Sequence, residues 1–455
     1  MIFDTVAAVS TPRGKGGIAV LRISGEGTAE VLSRVFRSFG KDPVSSPRHA
    51  TYGEILAADG RVIDEGLALW FPAPYSFTGE DVAELSCHGG VLLTEQVLAA
   101  VLSAGARPAM AGEFTRRAVL NGKMTLTSAE ALGTLLEAKT AGQMALSRGG
   151  MKGKLSLALD SHFSALSRLL ADAYAKIDFP DEDLNSMSRE ELIRAFCDEE
   201  RALSALLDTY RTGHAVTEGI RTVICGPVNA GKSTLYNAIV GREAAIVTDI
   251  AGTTRDVLTE TVSLGQVTLR LFDTAGLRET EDAVEHIGVI RAREAMAEAE
   301  LILCVLNAAA PVTDEVKALL CELAEQKSHV VIVLNQCDRG DTFPRSLLAA
   351  FAHVVCVSAA NGEIAELARC VEGLYFSDGL DLCEDPIVAN ARQHAALLRA
   401  REAIASTVSA LSCDVPLDAA LVDAEIAMAA LAEVDGRAVD EAILADIFKN
   451  FCVGK

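Results

Sequence analysis

The sequence predicts a multidomain chain of α/β and all-α parts, in which a doubly wound α/β domain is inserted into a helical one. Three observations carry that expectation. The chain has 455 residues, enough for about three domains of ordinary size. Strand-like and helix-like runs alternate over the first 120 residues and again after Gly213, whereas the stretches flanking the second region show apolar residues at helical spacing with little Gly or Pro. A Gly-rich loop at 226–231 stands between a β-run and a helix, as a doubly wound sheet requires. The expected division is 1–120 for an N-terminal α/β domain, 121–213 for the first helical part, 214–379 for the inserted domain and 380–455 for the second helical part with the FCVGK tail. Insertion is the simplest topology, because helices flank the middle on both sides and a domain whose ends lie close can be spliced into another.

In chain order, TVAAVST, GGIAVLRIS, GLALWFPA and DVAELSCHG read as strands, with helices near Thr28–Phe39 and Gly90–Ala104. Residues 128–176 and 188–211 read as long helices, interrupted by GGMKGK at Gly149–Lys154 and by IDFPDEDL, where Pro180 and the acidic cluster make a turn. After about Gly379, residues 387–411, 417–434 and 439–450 return to Ala- and Leu-rich helix.

Composition bounds the function. Lys and Arg number 41 against 63 Asp and Glu, and the formal charge of -22 repels a polyanion. Residues 1–120 carry 11 basic against 13 acidic side chains, so an RNA would be met by this nearly neutral third or by a basic partner. Eleven cysteines without a CxxC pair fit neither a zinc site nor a disulfide framework and are expected as reduced thiols. No run approaches the ~18 apolar residues of a membrane span, and the first residues lack a basic segment and meet Asp4, unlike a secretory leader. A cytoplasmic protein with no membrane attachment is expected.

Five motifs concentrate the chemistry. TVICGPVNAGKST places Gly226, Gly231, Lys232 and Ser233 in the spacing G-x-x-x-x-G-K-S, so the amides of Asn229, Ala230, Gly231 and Thr234 can cradle phosphates, Lys232 can reach the β/γ-phosphates and Ser233 can ligate Mg²⁺. Thr254 in DIAGTTRD can close over Mg²⁺ and the γ-phosphate. DTAG supplies Asp273, Thr274, Ala275 and Gly276, with Asp273 on the metal's water shell and the Gly276 amide on the γ-phosphate. NQCD at Asn335–Asp338 follows a β-run, and Asp338 can accept both N1–H and N2–H of guanine, a donor pair that adenine lacks. SAA at Ser358, Ala359 and Ala360 can offer a backbone N–H to the guanine carbonyl. This order of motifs predicts a Ras-like G domain, with Gln336 in place of the lysine that usually flanks the base.

Ras-like GTPases orient the attacking water with a Gln after DTAG, and here Leu277 holds that position. Glu279, Glu281, Asp282 and Glu285 are the carboxylates near enough in sequence to replace it.

The chain closely resembles the MnmE (TrmE) family of tRNA-modification GTPases along its whole length. The resemblance rests on DTVAAVSTPRGKGGIAVLRISG, SFTGEDVAELSCHGG, AGEFTRRAVLNGK, IDFPDED, AIVTDIAGTTRD, DTAGLRETEDAVEHIG and the terminal FCVGK. It implies that Glu285 acts as the general-base or water-orienting carboxylate. It implies further that Asn229, Thr248, Ile250 and Thr253 bind K⁺, which stands in for an arginine finger when two G domains meet. The N-terminal domain would form a homodimer and bind 5-formyltetrahydrofolate or a related one-carbon tetrahydrofolate through Arg22, Glu84, Lys123 and Lys455. With the FAD-dependent partner MnmG, in a heterotetramer or larger assembly, the family installs a carboxymethylaminomethyl or aminomethyl group at C5 of the tRNA wobble uridine, U34. Departures from the family pattern are Ala111 before Gly112, where PGEF is usual, and Thr125, where an acid is common. Cys452 reads either as a thiolate nucleophile favoured by Lys449 or Lys455, or as a packed thiol. The alternative function, an RNA-binding switch GTPase without chemistry, usually carries a basic RNA-binding module, and residues 386–455 hold 6 basic against 10 acidic side chains.

Overall fold

In IAVLRIS and VAELSCH, apolar side chains at alternate positions turn one face of each strand inward, and the two segments pair as neighbours in a seven-stranded sheet. The computed structural model describes residues 4–179, 187–242, 259–272, 296–326, 329–376, 379–437, 447–449, 451 and 454. It divides into two compact units, Met1–Gly133 with Ala432–Lys455, and Thr134–Leu431.

In the first unit, strands β1 (Val6–Val9), β2 (Ile18–Ser24), β3 (Phe36–Ser38), β4 (Thr51–Leu56), β5 (Val62–Phe71), β6 (Val82–His88) and β7 (Arg107–Pro108) lie in the order β3-β4-β5-β6-β2-β1-β7. All pairs are antiparallel except β1 with β7. Helices α1 (Thr28–Val35) and α2 (Val91–Ser103) join the sheet in a core containing Leu21, Ile23, Val31, Leu32, Trp70, Leu85, Val97 and Val101. The helix expected over Thr28–Phe39 stops at Val35, because Phe36–Ser38 pairs with β4. β4 is absent from the sequence expectation, since Gly53 and Glu54 dilute its apolar alternation. Helices α3 (Glu113–Leu120) and α4 (Leu126–Glu137) follow.

The second unit opens with α5 (Ala141–Met151), α6 (Lys154–Asp178), α7 (Arg189–Asp208) and α8 (Tyr210–Thr217). The helix expected over 128–176 is broken at GGMKGK as anticipated, and once more before Thr140, whose hydroxyl accepts from Gln143 N in a capping box that starts α5. Ser188 and Glu191 make the same box for α7. The second sheet comprises β8 (Ile220–Cys225), β9 (Thr259–Leu264), β10 (Val267–Phe272), β11 (Leu301–Asn307), β12 (His329–Asn335) and β13 (His353–Cys356), in the order β13-β12-β11-β8-β10-β9. Only β9 runs antiparallel. Helices α9 (Lys232–Arg242), α10 (Asp314–Ala324) and α11 (Ala365–Tyr375) belong to this doubly wound layer. Successive residues alternate between its two cores, Ile224 and Leu303 in one, Val223 and Cys304 in the other. The long α12 (Ala391–Ser412) lies against α7, both burying an apolar stripe, and α13 (Leu417–Asp435) follows. No described helix is long and apolar enough to cross a membrane. From β8 the chain reaches β10 on one side and β11 on the other, so the carboxyl end of β8 is a topological switch point, where open α/β sheets bind ligands.

Candidate functional site

The loop after β8 is shaped by two glycines. Gly226 has φ +138°, and a Cβ there would lie 2.1 Å from Val305 O on the adjacent strand. Gly231 has φ +91°, and its Cβ would lie 2.2 Å from Asn335 Nδ2. Neither position accepts a side chain. Helix α9 begins directly after the loop, so its first amides and positive dipole end face the concavity, an anion site by construction. Lys232 Nζ donates to the carbonyls of Gly226 and Pro227, both at 2.8 Å, and burial holds its ammonium below the usual lysine range. Ser233 and Thr234 are exposed in the first turn of α9, where a hydroxyl can meet a hard cation. Asn229, at φ +63°, and Val228 form the exposed crest of the loop, while Ala230 is buried beneath it.

Asn335, 2% exposed at the end of β12, ties three loops together. Its Nδ2 donates to Ala230 O at 3.2 Å, and its Oδ1 accepts from Gln336 N at 2.9 Å and from Ala359 N at 3.1 Å. Ser358 Oγ donates to Asp338 Oδ1 at 2.7 Å, fixing the orientation of an otherwise exposed carboxylate. Gln336, at φ +63°, accepts through Oε1 from Asn307 Nδ2 at 3.2 Å. Asn307 is the residue that sequence reading missed here. It ends β11 as the register partner of Asn335, a juxtaposition visible only once the strands are paired. The phosphate-loop residues Asn229, Ala230, Gly231, Lys232, Ser233 and Thr234 and the base-side residues Asn335, Asp338, Ser358, Ala359 and Ala360 therefore meet at the carboxyl edge of one sheet.

A second cluster occupies the first unit. Arg22 and Glu84 are register partners on β2 and β6, and Arg22 Nε and Nη2 both donate to Glu84 Oε1, at 2.9 and 2.7 Å. The guanidinium also lies 5.4 Å from the Phe77 ring centre and 5.7 Å from that of Phe114. Arg22 thus orients the Glu84 carboxylate through Oε1. Lys123 Nζ donates to Pro74 O at 2.9 Å. Beneath this loop Arg117, 2% exposed, donates to Glu80 Oε2 at 2.9 Å and to Asp4 O at 2.8 Å, Ser24 Oγ donates to the same Glu80 oxygen, and Asn121 Nδ2 holds Thr78 O. These anchors of the SFTGED segment lie within the motifs that carry the resemblance, but their types gave no chemical signal. In the tail, Phe448 and Phe451 pack with Leu126 and Ala129, and Gly454 O accepts from Ser10 Oγ at 3.0 Å. Ser10 directly follows β1, whose Ala8 pairs with Arg22. Gly454 therefore lies next to the strand beside the one bearing Arg22.

Thr248, Ile250, Thr253, Thr254, Asp273, Thr274, Ala275, Gly276, Glu285, Cys452 and Lys455 lie outside the described residues.

Comparison with known proteins gives two family models, "GTP-binding protein TrmE N-terminus" over residues 5–123 and "MnmE helical domain" over residues 126–452. The proteins named tRNA modification GTPase MnmE from Heliobacterium modesticaldum and Symbiobacterium thermophilum are 40% identical over 470 residues and 42% over 464, covering 100% and 99% of both chains. That of Bacillus cytotoxicus is 38% identical over 462 residues, again with full coverage of both.

Proposed function

Because this chain belongs to the MnmE family of tRNA modification GTPases, we propose that it hydrolyses GTP at the carboxyl edge of its doubly wound sheet and couples that cycle to modification of the tRNA wobble uridine. The observation that carries the reading is Asn335, which locks the phosphate loop, the NQCD turn and the SAA turn into one frame. In that frame Lys232 and the α9 amides hold the β/γ-phosphates, and Asp338, oriented by Ser358, accepts N1–H and N2–H of guanine. Ala359 N–H is committed to Asn335, which leaves the amide of Ala360 for the guanine carbonyl. Ser233, with Thr254, is the residue set for Mg²⁺, and exposed Asn229, with Thr248, Ile250 and Thr253, the set for K⁺. Bound there, the cations supply positive charge where the β/γ-bridge gains negative charge. Asp273, Thr274, Ala275 and Gly276 line the γ-phosphate, and Glu285 orients the attacking water.

In the first unit Glu84, held by Arg22, suits the amino and ring N–H edge of a pterin, and Lys123 and Lys455 suit the glutamate tail of a one-carbon tetrahydrofolate. Folate supplies the one-carbon unit. Cys452 is a candidate nucleophile for the same chemistry. The division into 1–120, 121–213, 214–379 and 380–455, the homodimer, the assembly with the FAD-dependent MnmG and tRNA, and a cytoplasmic location complete the reading.

Asp338→Asn tests it. The variant should lose GTP and gain xanthosine triphosphate, whose 2-oxo group suits an amide donor. Loss of a charged base contact costs on the order of 2–3 kcal/mol, roughly two decades in affinity. A variant that keeps its preference for GTP in direct binding overturns the assignment of this turn.

A further inference from the structure

Two cysteines that the nucleotide reading does not use stand against each other at the base-reading turn. Cys337 lies between Gln336 and Asp338 in the turn after β12, and Cys356 ends β13, two residues before Ser358. The backbone brings them together: Cys356 is the register partner of Leu334, Cys337 N donates to Val357 O at 3.3 Å, and Cys337 Sγ donates to Leu334 O at 3.1 Å. The two cysteines therefore sit side by side, and both are only partly buried. Arg345 Nη2 donates to Cys356 Sγ at 3.4 Å, placing a guanidinium against that sulfur, the setting that reactive thiols share. Burial and the neighbouring thiol push Cys337 up to about 11, so it enters as the second, resolving sulfur. Among the described residues, Cys225 and Cys304 also stand against each other, as register partners on β8 and β11, with Cys304 fully buried.

We propose that Cys337 and Cys356 are an oxidation site, and that their reversible disulfide switches guanine-nucleotide affinity. With hydrogen peroxide as oxidant, Cys356 sulfur attacks one oxygen, the O–O bond breaks and hydroxide leaves. Cys337 sulfur then displaces the second hydroxide from the sulfenic acid, forming S–S. The two thiol protons leave with the oxygens as two waters, and the two thiols supply the two electrons that reduce the peroxide. A dithiol reverses the change by exchange. Drawing the two sulfurs to bonding distance takes Cys337 off Leu334 O and shifts Asp338 against Ser358 Oγ, which orients it.

The switch rests on Asp338 as the base reader, and its test separates the two. The full chain is titrated with a fluescent-labelled GDP analogue when reduced, after hydrogen peroxide, and after dithiothreitol, with peptide mass mapping at each stage. Peroxide should link Cys337 to Cys356 and weaken binding about tenfold, the scale of one disturbed charge-assisted hydrogen bond, and dithiothreitol should restore it. Cys337→Ser and Cys356→Ser chains should each keep their own reduced affinity under peroxide. Both thiols free after peroxide, a formed link with unchanged affinity, or equal losses in the Ser variants would overturn the switch alone. A reduced chain that binds no guanine nucleotide would overturn the nucleotide-site reading, and the switch with it.

Discussion

Asn335 and Asp338 stand three residues apart in one turn and do different physical work. Asp338 is exposed and aimed by a single hydroxyl, so its contribution appears when a base meets it. Asn335 is buried and satisfies two backbone N–H groups and the carbonyls of Ala230 and Gly231, so its contribution is the order of the site itself. Removing it strands buried polar groups at about 1–3 kcal/mol each. Asn335→Ala should therefore weaken GTP and GDP together by roughly two decades, while leaving GTP preferred over xanthosine triphosphate. Calorimetric titration of the three nucleotides checks this, and a changed base ranking or an unchanged affinity would contradict it. Gly226, Gly231 and Lys232 were legible in the sequence because their backbone and charge requirements are local. Asn307 was not, because its role depends on the register between β11 and β12.

At the scale of elements, α3 is fastened to the first sheet by charge rather than by apolar contact alone. Glu113, 5% exposed at the start of α3, accepts from Arg107 Nη1 and Nη2 at 3.0 and 2.6 Å and from Met110 N at 2.7 Å. Burial by itself would raise the Glu113 carboxyl, but the Arg107 and Met110 bonds and the Arg107 and Arg117 charges outweigh it and hold it below the ordinary range. A depressed folded value contributes stability that is complete above the unfolded value, about 4.3, and drains away as pH falls through the folded one. Thermal unfolding followed from pH 7 to pH 3 should show that acid limb. In Glu113→Gln the limb should flatten and stability at pH 7 should drop by about 1–2 kcal/mol, less than for a fully buried pair because Arg107 is partly exposed to solvent. An unchanged acid limb would show that other carboxylates carry it. Neither the network nor β4 was legible in the sequence. Charges at 107, 113 and 117 look like a solvated face until strand β7 is placed beside β1, and β4 lacks a clear apolar period. The helix over Arg189–Asp208 was legible, because its apolar residues fall at helical spacing, whereas the capped start of α5 at Thr140 was not.

For the whole molecule, the proposed function draws on two clusters on different parts of the chain, one at the carboxyl edge of the doubly wound sheet and the other the Arg22–Glu84 pair of the first sheet. The doubly wound sheet and the α/β start were legible because strand, loop and helix alternate in sequence as they do in space. The proposed coupling of GTP to chemistry is the central claim, and it has a physical requirement: the phosphate state must be felt at the C-terminal tail, where Gly454 O accepts from Ser10 Oγ beside β1. The most direct test is a Lys232→Ala chain in a strain lacking its own copy, with the tRNA nucleosides measured by mass spectrometry and folate binding measured on the purified protein. Lys232 belongs to the phosphate loop alone, so the variant should bind 5-formyltetrahydrofolate as the parent does and leave the wobble uridine unmodified. Full modification of that uridine by a chain that no longer hydrolyses GTP would contradict the coupling.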